Sequence, residues 1–244
     1  MAKNIRVTTE GALAVIKSLG WSPASIIDIG VALGTKGLYP IWPEAHICLI
    51  EPSPASLVYM NQIAERYPHV HIYNVGASNR SGQYTAATQK GLVNVVMDRD
   101  SAEWTQTTIP IMTCDEIVRD AGLPAPFLYK LDTDSHEREV LEGSAATLEQ
   151  SELCIVEVNV FNLLRNRFTP DDMWGAMRRH GFTLLDFAGA GYAANGLLRT
   201  ADLMFVKEGG ALFDLAYKNS GKAKDSIEHR LRQQQAATVD NKFI

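Results

Sequence analysis

Three cysteines are all that 244 residues contain, and Cys48, Cys114 and Cys154 form no C-x-x-C pair. So sparse and odd a set fits reduced thiols better than a disulfide framework. Cys48 and Cys154 lie inside apolar runs and read as small core residues. No apolar stretch approaches the roughly 20 residues of a membrane-spanning helix. Met1–Arg6 lacks the apolar segment of a secretory signal, so a cytoplasmic protein is expected. Neither sign of charge dominates: 23 Lys and Arg against 28 Asp and Glu leave a net charge of −5. No global field draws such a chain to nucleic acid or to an anionic membrane. Arg178-Arg179 reads as a helix end opposing its dipole. His46, His69, His71, His180 and His229 have no metal-ligand spacing. With 46% apolar and 21% charged residues the composition is that of an ordinary globular protein, and the length suits one large α/β domain.

What is present is alternation of strand-like and helix-like segments. Strands are expected at Ser25–Asp28, Ala45–Ile50, Val70–Val75, Phe127–Asp132, Leu153–Val158, Phe182–Phe187 and Leu203–Lys207. Between the first two, a short helix opened by Thr35–Tyr39 should end at Pro40 and Pro43. Ser53-Pro54 reads as N-cap and first position of another helix, with Leu57, Met60, Ile63 and Ala64 on one face. Thr113 with Glu116 makes a capping box for a helix ending at Gly122. Glu137–Gln150 reads as one helix, and Thr169–Asp172 opens one that Gly181 ends. Residues 76–113 lack helical period and read as a β-rich excursion. The linker Gly189–Asn195 shows no helical pattern, so the last strand is expected antiparallel to its predecessor. The expected architecture is a mostly parallel sheet with helices on both faces. It occupies residues 25–208, with a helical extension over 1–24 carrying Glu10–Leu19 and a polar helix or tail over 209–244.

The chemistry concentrates at the predicted strand ends. Asp28-Ile29-Gly30-Val31-Ala32-Leu33-Gly34 follows the first strand, and Gly30 permits a turn that a ligand can approach without meeting a Cβ. Glu51 closes the second strand, where an acid can accept both hydroxyls of a ribose. The third glycine of the G-x-G-x-x-G dinucleotide loop is missing. That spacing points to S-adenosylmethionine, which has a ribose and adenine but no pyrophosphate.

In order along the chain, six blocks resemble the FkbM-type methyltransferases, a branch of the class I S-adenosylmethionine enzymes with a Rossmann-like sheet. Asp28, Gly30 and Gly34 are similar to its D-x-G-A-N-x-G motif, with Val31-Ala32 in place of Ala-Asn. Glu51-Pro52-Ser53-Pro54 is similar to E-P-x-P, and Asn74–Ser78 to N-x-A-x-S. Lys130–Gly143 resembles K-I-D-V-E-G-x-E-x-x-V-L-x-G, departing at Asp134, Ser135 and His136. Val156-Glu157-Val158 and Asp202–Val206 are similar to the closing I-E-V and D-x-L-F-V segments. The resemblance covers about residues 25–207 and implies S-adenosyl-L-methionine as cofactor.

On that basis the donor site is expected from Asp28, Gly30, Val31, Gly34, Glu51, Pro52, Gly76, Ala77 and Asp132. Asp28 would hold the loop or receive the donor's ammonium, Glu51 the ribose, and Gly76-Ala77 the adenine edge. Methyl transfer to a hydroxyl requires alignment and loss of a proton. Asp134 or His136 would take that proton, and Lys130 would pair with a carboxylate or position substrate. Glu157 and Asn159 are candidates to bind the acceptor. Tyr84, Trp104, Phe161, Phe168, Trp174 and Tyr192 are further pocket candidates. Asp132, Asp134, Glu157 and Asn159 offer oxygens of the sort Mg²⁺ accepts, but their spacing does not demand a metal and none is expected. The expected activity is O-methylation of a small molecule or glycan, by a chain able to form homo-oligomers. Rival readings are an NAD-dependent oxidoreductase and a catalytically silent binding subunit with the same fold.

Overall fold

The computed structural model describes residues 8–35, 37–89, 92–94, 105–133, 136–160 and 168–219. Helix α1 (Thr9–Ser18) is followed by strand β1 (Ser25–Ile29), β2 (His46–Ile50), α2 (Leu57–Ala64) and β3 (Val70–Tyr73). Then come β4 (Gly76–Ala77), β5 (Gly82–Gln89), β6 (Leu92–Asn94), β7 (Thr105–Met112), α3 (Cys114–Ala121) and β8 (Phe127–Leu131). Helices α4 (Glu137–Glu142) and α5 (Ala145–Glu149), strand β9 (Ser151–Asn159), α6 (Pro170–Arg179) and the hairpin β10 (Phe182–Tyr192) and β11 (Leu198–Lys207) follow. A last helix, α7, spans 211–219.

Seven strands form the main sheet in the order β10-β11-β9-β8-β1-β2-β3. β3, β2, β1, β8 and β9 run parallel, and β11 is antiparallel to both of its neighbours. The chain winds outward from β1 to β3, then crosses back to β8 and β9. The strand order therefore reverses between β1 and β8, and the crevice beyond their carboxyl ends is where such sheets receive ligands. Alternate residues supply two cores. Ile27, Ile29, Tyr129, Leu131 and Val156 pack under α3, α4 and α6. Ile26, Leu49, Leu128, Ile155 and Met204 pack under α1, α2 and Leu212 of α7. The excursion builds a second sheet, β4-β7-β5-β6, beside the crevice.

The expected capping box of Thr113 with Glu116 forms, and the helix opened at Thr169 carries a second one, with Asp172. Four expectations require correction. No α-helix follows the Asp28 loop: turns lead to a single 3₁₀ turn at Tyr39–Ile41, with Pro40 inside it. The many glycines and prolines leave no uninterrupted helical stretch there. Ser53 occupies its N-cap position without capping, because its hydroxyl accepts the Val93 N–H instead. Residues 137–150 break into α4 and α5 at Gly143, where a Cβ would lie 2.0 Å from the Ser78 carbonyl oxygen. The segment 189–192 is strand, so the sheet's last hairpin is longer than its apolar residues foretold.

Three histidines are held below their ordinary pKa, and this sets an acid limit on stability. His46 is lowered by burial and then by His69 and His71, whose rings stack on it at 4.7 and 6.1 Å. His180 is lowered by burial, then by Lys207 and Arg179, and His136 by burial against the opposing pull of Glu139. A depressed histidine means that the unfolded chain binds protons first as pH falls through about 6.5. Stability from these groups is complete above that pH and is lost below it. The buried Asp202 carboxyl, raised first by desolvation, acts in the opposite sense, in a window starting nearer pH 4. Melting temperature should therefore fall between pH 7.5 and 5.5. His46→Gln should flatten the slope, and an unchanged slope would remove His46 from the account.

Candidate donor and acceptor cavity

A cavity of about 450 Å³ opens at the strand-order reversal, within the size range of small-molecule sites. Its walls include Gly30, Ala32, Glu51, Pro52, Ser53, Gly76, Ala77, Tyr84, Asp132, Thr133, His136, Glu157 and Arg199. Glu51 is built into the wall. Its Oε1 accepts the Ser53 N–H at 2.8 Å and its Oε2 accepts the Ala32 N–H at 3.1 Å. Asn74 donates from its side chain to the Glu51 carbonyl at 2.7 Å. One carboxylate thus ties the β1 and β2 loops together and keeps lone pairs for a ligand. Ala32 sits at φ +46, a left-handed conformation that costs alanine about 1 kcal/mol or more; the Glu51 bond holds it there. Beside Glu51, Ile50, Gly76, Ala77, Ile109 and Ile111 form a small, apolar surface.

The glycine at position 30 has a reason the sequence did not show. Its φ is +86, and a Cβ there would lie 1.7 Å from the Asp132 carbonyl oxygen. The residue is required by the close approach of the β1 and β8 chain ends. Gly76 is likewise hemmed in by Ile111 and Ile109, at 3.2 and 3.3 Å from an added Cβ.

Behind the wall lies a buried charge network. Asp28, fully buried, accepts the Tyr39 hydroxyl and stands 3.5 Å from Lys130 Nζ. Lys130 reaches Asp132 at 3.1 Å. Burial pulls the ammonium down, but Asp28 and Asp132 outweigh it and hold Lys130 above its ordinary range. Tyr39 is pushed up by burial and by Asp28. Lys130 and Asp28 are absent from the cavity lining, as are Val31, Gly34 and Asn159. Val31 faces the core under α1. Asn159 pairs in register with Thr200. Lys130 thus bridges the Asp28 and Asp132 carboxylates.

His136 precedes α4 and lines the cavity under Tyr84, ring centres 5.6 Å apart. Its Nε2 is 3.0 Å from Ser78 Oγ and its Nδ1 3.5 Å from Glu139 Oε2. Both ring nitrogens thus face protein partners. Asp134, the other candidate base, lies outside the described residues, as do Ser135, Trp104 and Phe161. Of the remaining aromatics, Phe168 packs against the core beneath Arg138, while Trp174 and Tyr192 are exposed away from the lining. Glu157 and Asp132 do meet at the cavity, with Gly30, Glu51, Pro52, Gly76, Ala77 and His136. Ser53, Ile109, Ile111 and Arg199 were not foreseen. The alternation of Thr105–Met112 could have given the isoleucines, whereas Arg199 carried no signal. Among the described residues no cluster of His, Cys, Asp or Glu is disposed to hold a metal, and no helix is long and apolar enough to cross a membrane.

The wall suits a nucleoside: a pinned carboxylate for hydroxyls beside a small apolar face for a base. The chain is 28% identical over 133 residues to the hexuronic acid methyltransferase AglP of Haloferax volcanii, covering 54% of each protein, so it matches about half the length of that relative. Among solved structures it is similar to magnesium protoporphyrin IX methyltransferase of Synechocystis PCC 6803 with bound S-adenosylmethionine (11% identity, TM-score 0.46, 82% of this chain and 78% of that one). It is also similar to the N-methyltransferase NodS of Bradyrhizobium japonicum WM9 with S-adenosylhomocysteine (9% identity, TM-score 0.47, 82% and 85%). A profile of the methyltransferase FkbM domain matches residues 29–184. The chain belongs to the FkbM methyltransferase family, whose methyl donor is S-adenosylmethionine.

Proposed function

We propose that the protein transfers a methyl group to a hydroxyl oxygen of a small-molecule or sugar acceptor. The observation that carries this reading is the length of the cavity. Glu51 follows β2, while Glu157 and Arg199 belong to β9 and β11. Three and four strand spacings separate them, roughly 14 and 19 Å. A nucleoside held at Glu51 leaves the β9–β11 end for a second molecule. The AglP relative acts on a hexuronic acid, and a sugar of that size suits this space.

When bound, the donor supplies an electrophilic methyl group. The chain's own part is alignment and proton removal. Glu51 holds ribose hydroxyls, Gly76-Ala77 admits an adenine edge, and Asp132, fixed by Lys130, borders the junction of the two molecules. Burial holds His136 below its ordinary pKa against the pull of Glu139, and its two nitrogens already face Glu139 and Ser78, which leaves no free lone pair for an acceptor hydroxyl. Asp134, next to this junction in sequence, is therefore the preferred base.

Calorimetry with S-adenosylhomocysteine should give one site per chain; no heat at millimolar ligand would reject the donor site. Asp134→Asn should leave that affinity within about twofold while lowering turnover on a hydroxyl-bearing sugar acceptor about 10²-fold or more. Turnover close to wild type would take the base role away from Asp134.

A further inference from the structure

Every charged side chain in the cavity wall except one is already engaged within the protein. Both Glu51 oxygens take backbone N–H bonds, Asp132 is paired with Lys130, and Glu157 has an interaction of its own. Arg199 differs. Its side chain lines the cavity and is exposed, and it has no carboxylate within 4.0 Å among the described residues. Its backbone is fixed, since the Arg199 carbonyl accepts the Val160 N–H at 2.8 Å and the next residue, Thr200, pairs with Asn159 in the β9–β11 ladder. The strand thus presents a guanidinium at a set place, with no counter-charge among the described residues. A planar fork of N–H donors matches a carboxylate in two parallel hydrogen bonds.

The donor itself carries a carboxylate, so position decides between two ligands. Arg199 stands on the fourth strand from Glu51, a backbone separation of roughly 19 Å, at the far end of the cavity from the ribose site. The nearer charges for the donor's amino-acid end are at the Gly30 and Asp132 loops, on β1 and β8. We infer that Arg199 selects an acceptor bearing a carboxylate, a sugar acid or a comparable hydroxy acid, and holds that group while a neighbouring oxygen meets the methyl donor. The inference rests on the methyl-transfer reading above, and it assigns to Arg199 a role in specificity rather than in the chemical step.

The test is calorimetry on the full chain saturated with S-adenosylhomocysteine, titrated with D-glucuronate, D-galacturonate and the neutral methyl esters of both. At least one acid should bind tenfold or more tightly than its ester, and the gap should shrink as salt rises. Arg199→Ala should erase the gap while leaving S-adenosylhomocysteine affinity within twofold, and Arg199→Lys should keep part of it. Three results overturn the inference: acids that bind no better than their esters or not at all, a gap that survives Arg199→Ala, or a tenfold loss of S-adenosylhomocysteine affinity in that variant, which would place Arg199 on the donor. Failure of S-adenosylhomocysteine to bind the wild type is a separate outcome and strikes the donor site itself.

Discussion

Glu51→Ala is expected to weaken S-adenosylhomocysteine binding about 10- to 100-fold, the worth of one or two hydrogen bonds to a charged acceptor, roughly 1.5–3 kcal/mol. The loss has two sources. The carboxylate's spare lone pairs would accept the ribose hydroxyls directly. Its bonds to Ala32 N–H and Ser53 N–H also hold the two loops at the separation a nucleoside needs. Glu51→Gln separates these contributions poorly but informatively. An amide keeps one acceptor and turns an N–H₂ toward one of the two backbone donors, so one loop is released and a donor meets a donor. The glutamine variant should therefore lose most of what the alanine variant loses. Glu51→Asp is one methylene shorter, cannot reach both loops, and should fall between the two. Calorimetry reads the affinities, and melting temperature checks that each variant is folded. A glutamine variant within threefold of wild type would remove Glu51 from the donor site.

The carboxylate was legible because it stood where a predicted strand ended, and strand ends were legible from apolar runs. All seven strands of the main sheet were anticipated, since β1, β2, β8 and β9 are buried on both faces and read as near-continuous hydrophobic stretches. The Thr113–Glu116 capping box and the helix start at Thr169 were equally plain, because both use spacing alone. What failed was anything decided by a distant partner. Nothing near Gly143 in sequence announces the Ser78 carbonyl that splits the α4–α5 helix. Asp28 was placed at the loop or the ligand because it ends a strand, and Lys130 was expected to pair with a carboxylate or to position substrate. Their register across β1 and β8 pairs them, with Tyr39 sealing the other side. Arg199 escaped because it lies in a polar stretch of β11 that pairing with β10 and β9 makes a strand. Local pattern gave the frame; side-chain partners across strands decided which polar residues face the cavity.

Gly30→Ala should be the most damaging single substitution at the site, costing more than about 4 kcal/mol and leaving little folded protein. Two penalties coincide there. The backbone is at φ +86, where an L-residue with a Cβ pays roughly 1–2 kcal/mol. The added carbon would also lie 1.7 Å from the Asp132 carbonyl oxygen and 2.6 Å from its carbon. Those atoms are main chain, so no rotamer change makes room. The ends of β1 and β8 would have to part, at the expense of the Asp132 N–H bond to the Ile29 carbonyl, 3.0 Å long, and the loops of Glu51 and Asp132 would part with them. Gly20→Ala is the control that isolates the overlap. Gly20 has nearly the same backbone, φ +91, with nothing within 4 Å of an added Cβ, so it should lose only the backbone part, roughly 1–2 kcal/mol, a few degrees in melting temperature. Denaturant unfolding of the pair measures the difference. Equal losses would mean that β1 and β8 do not approach as closely as described, and that Gly30 serves its turn alone.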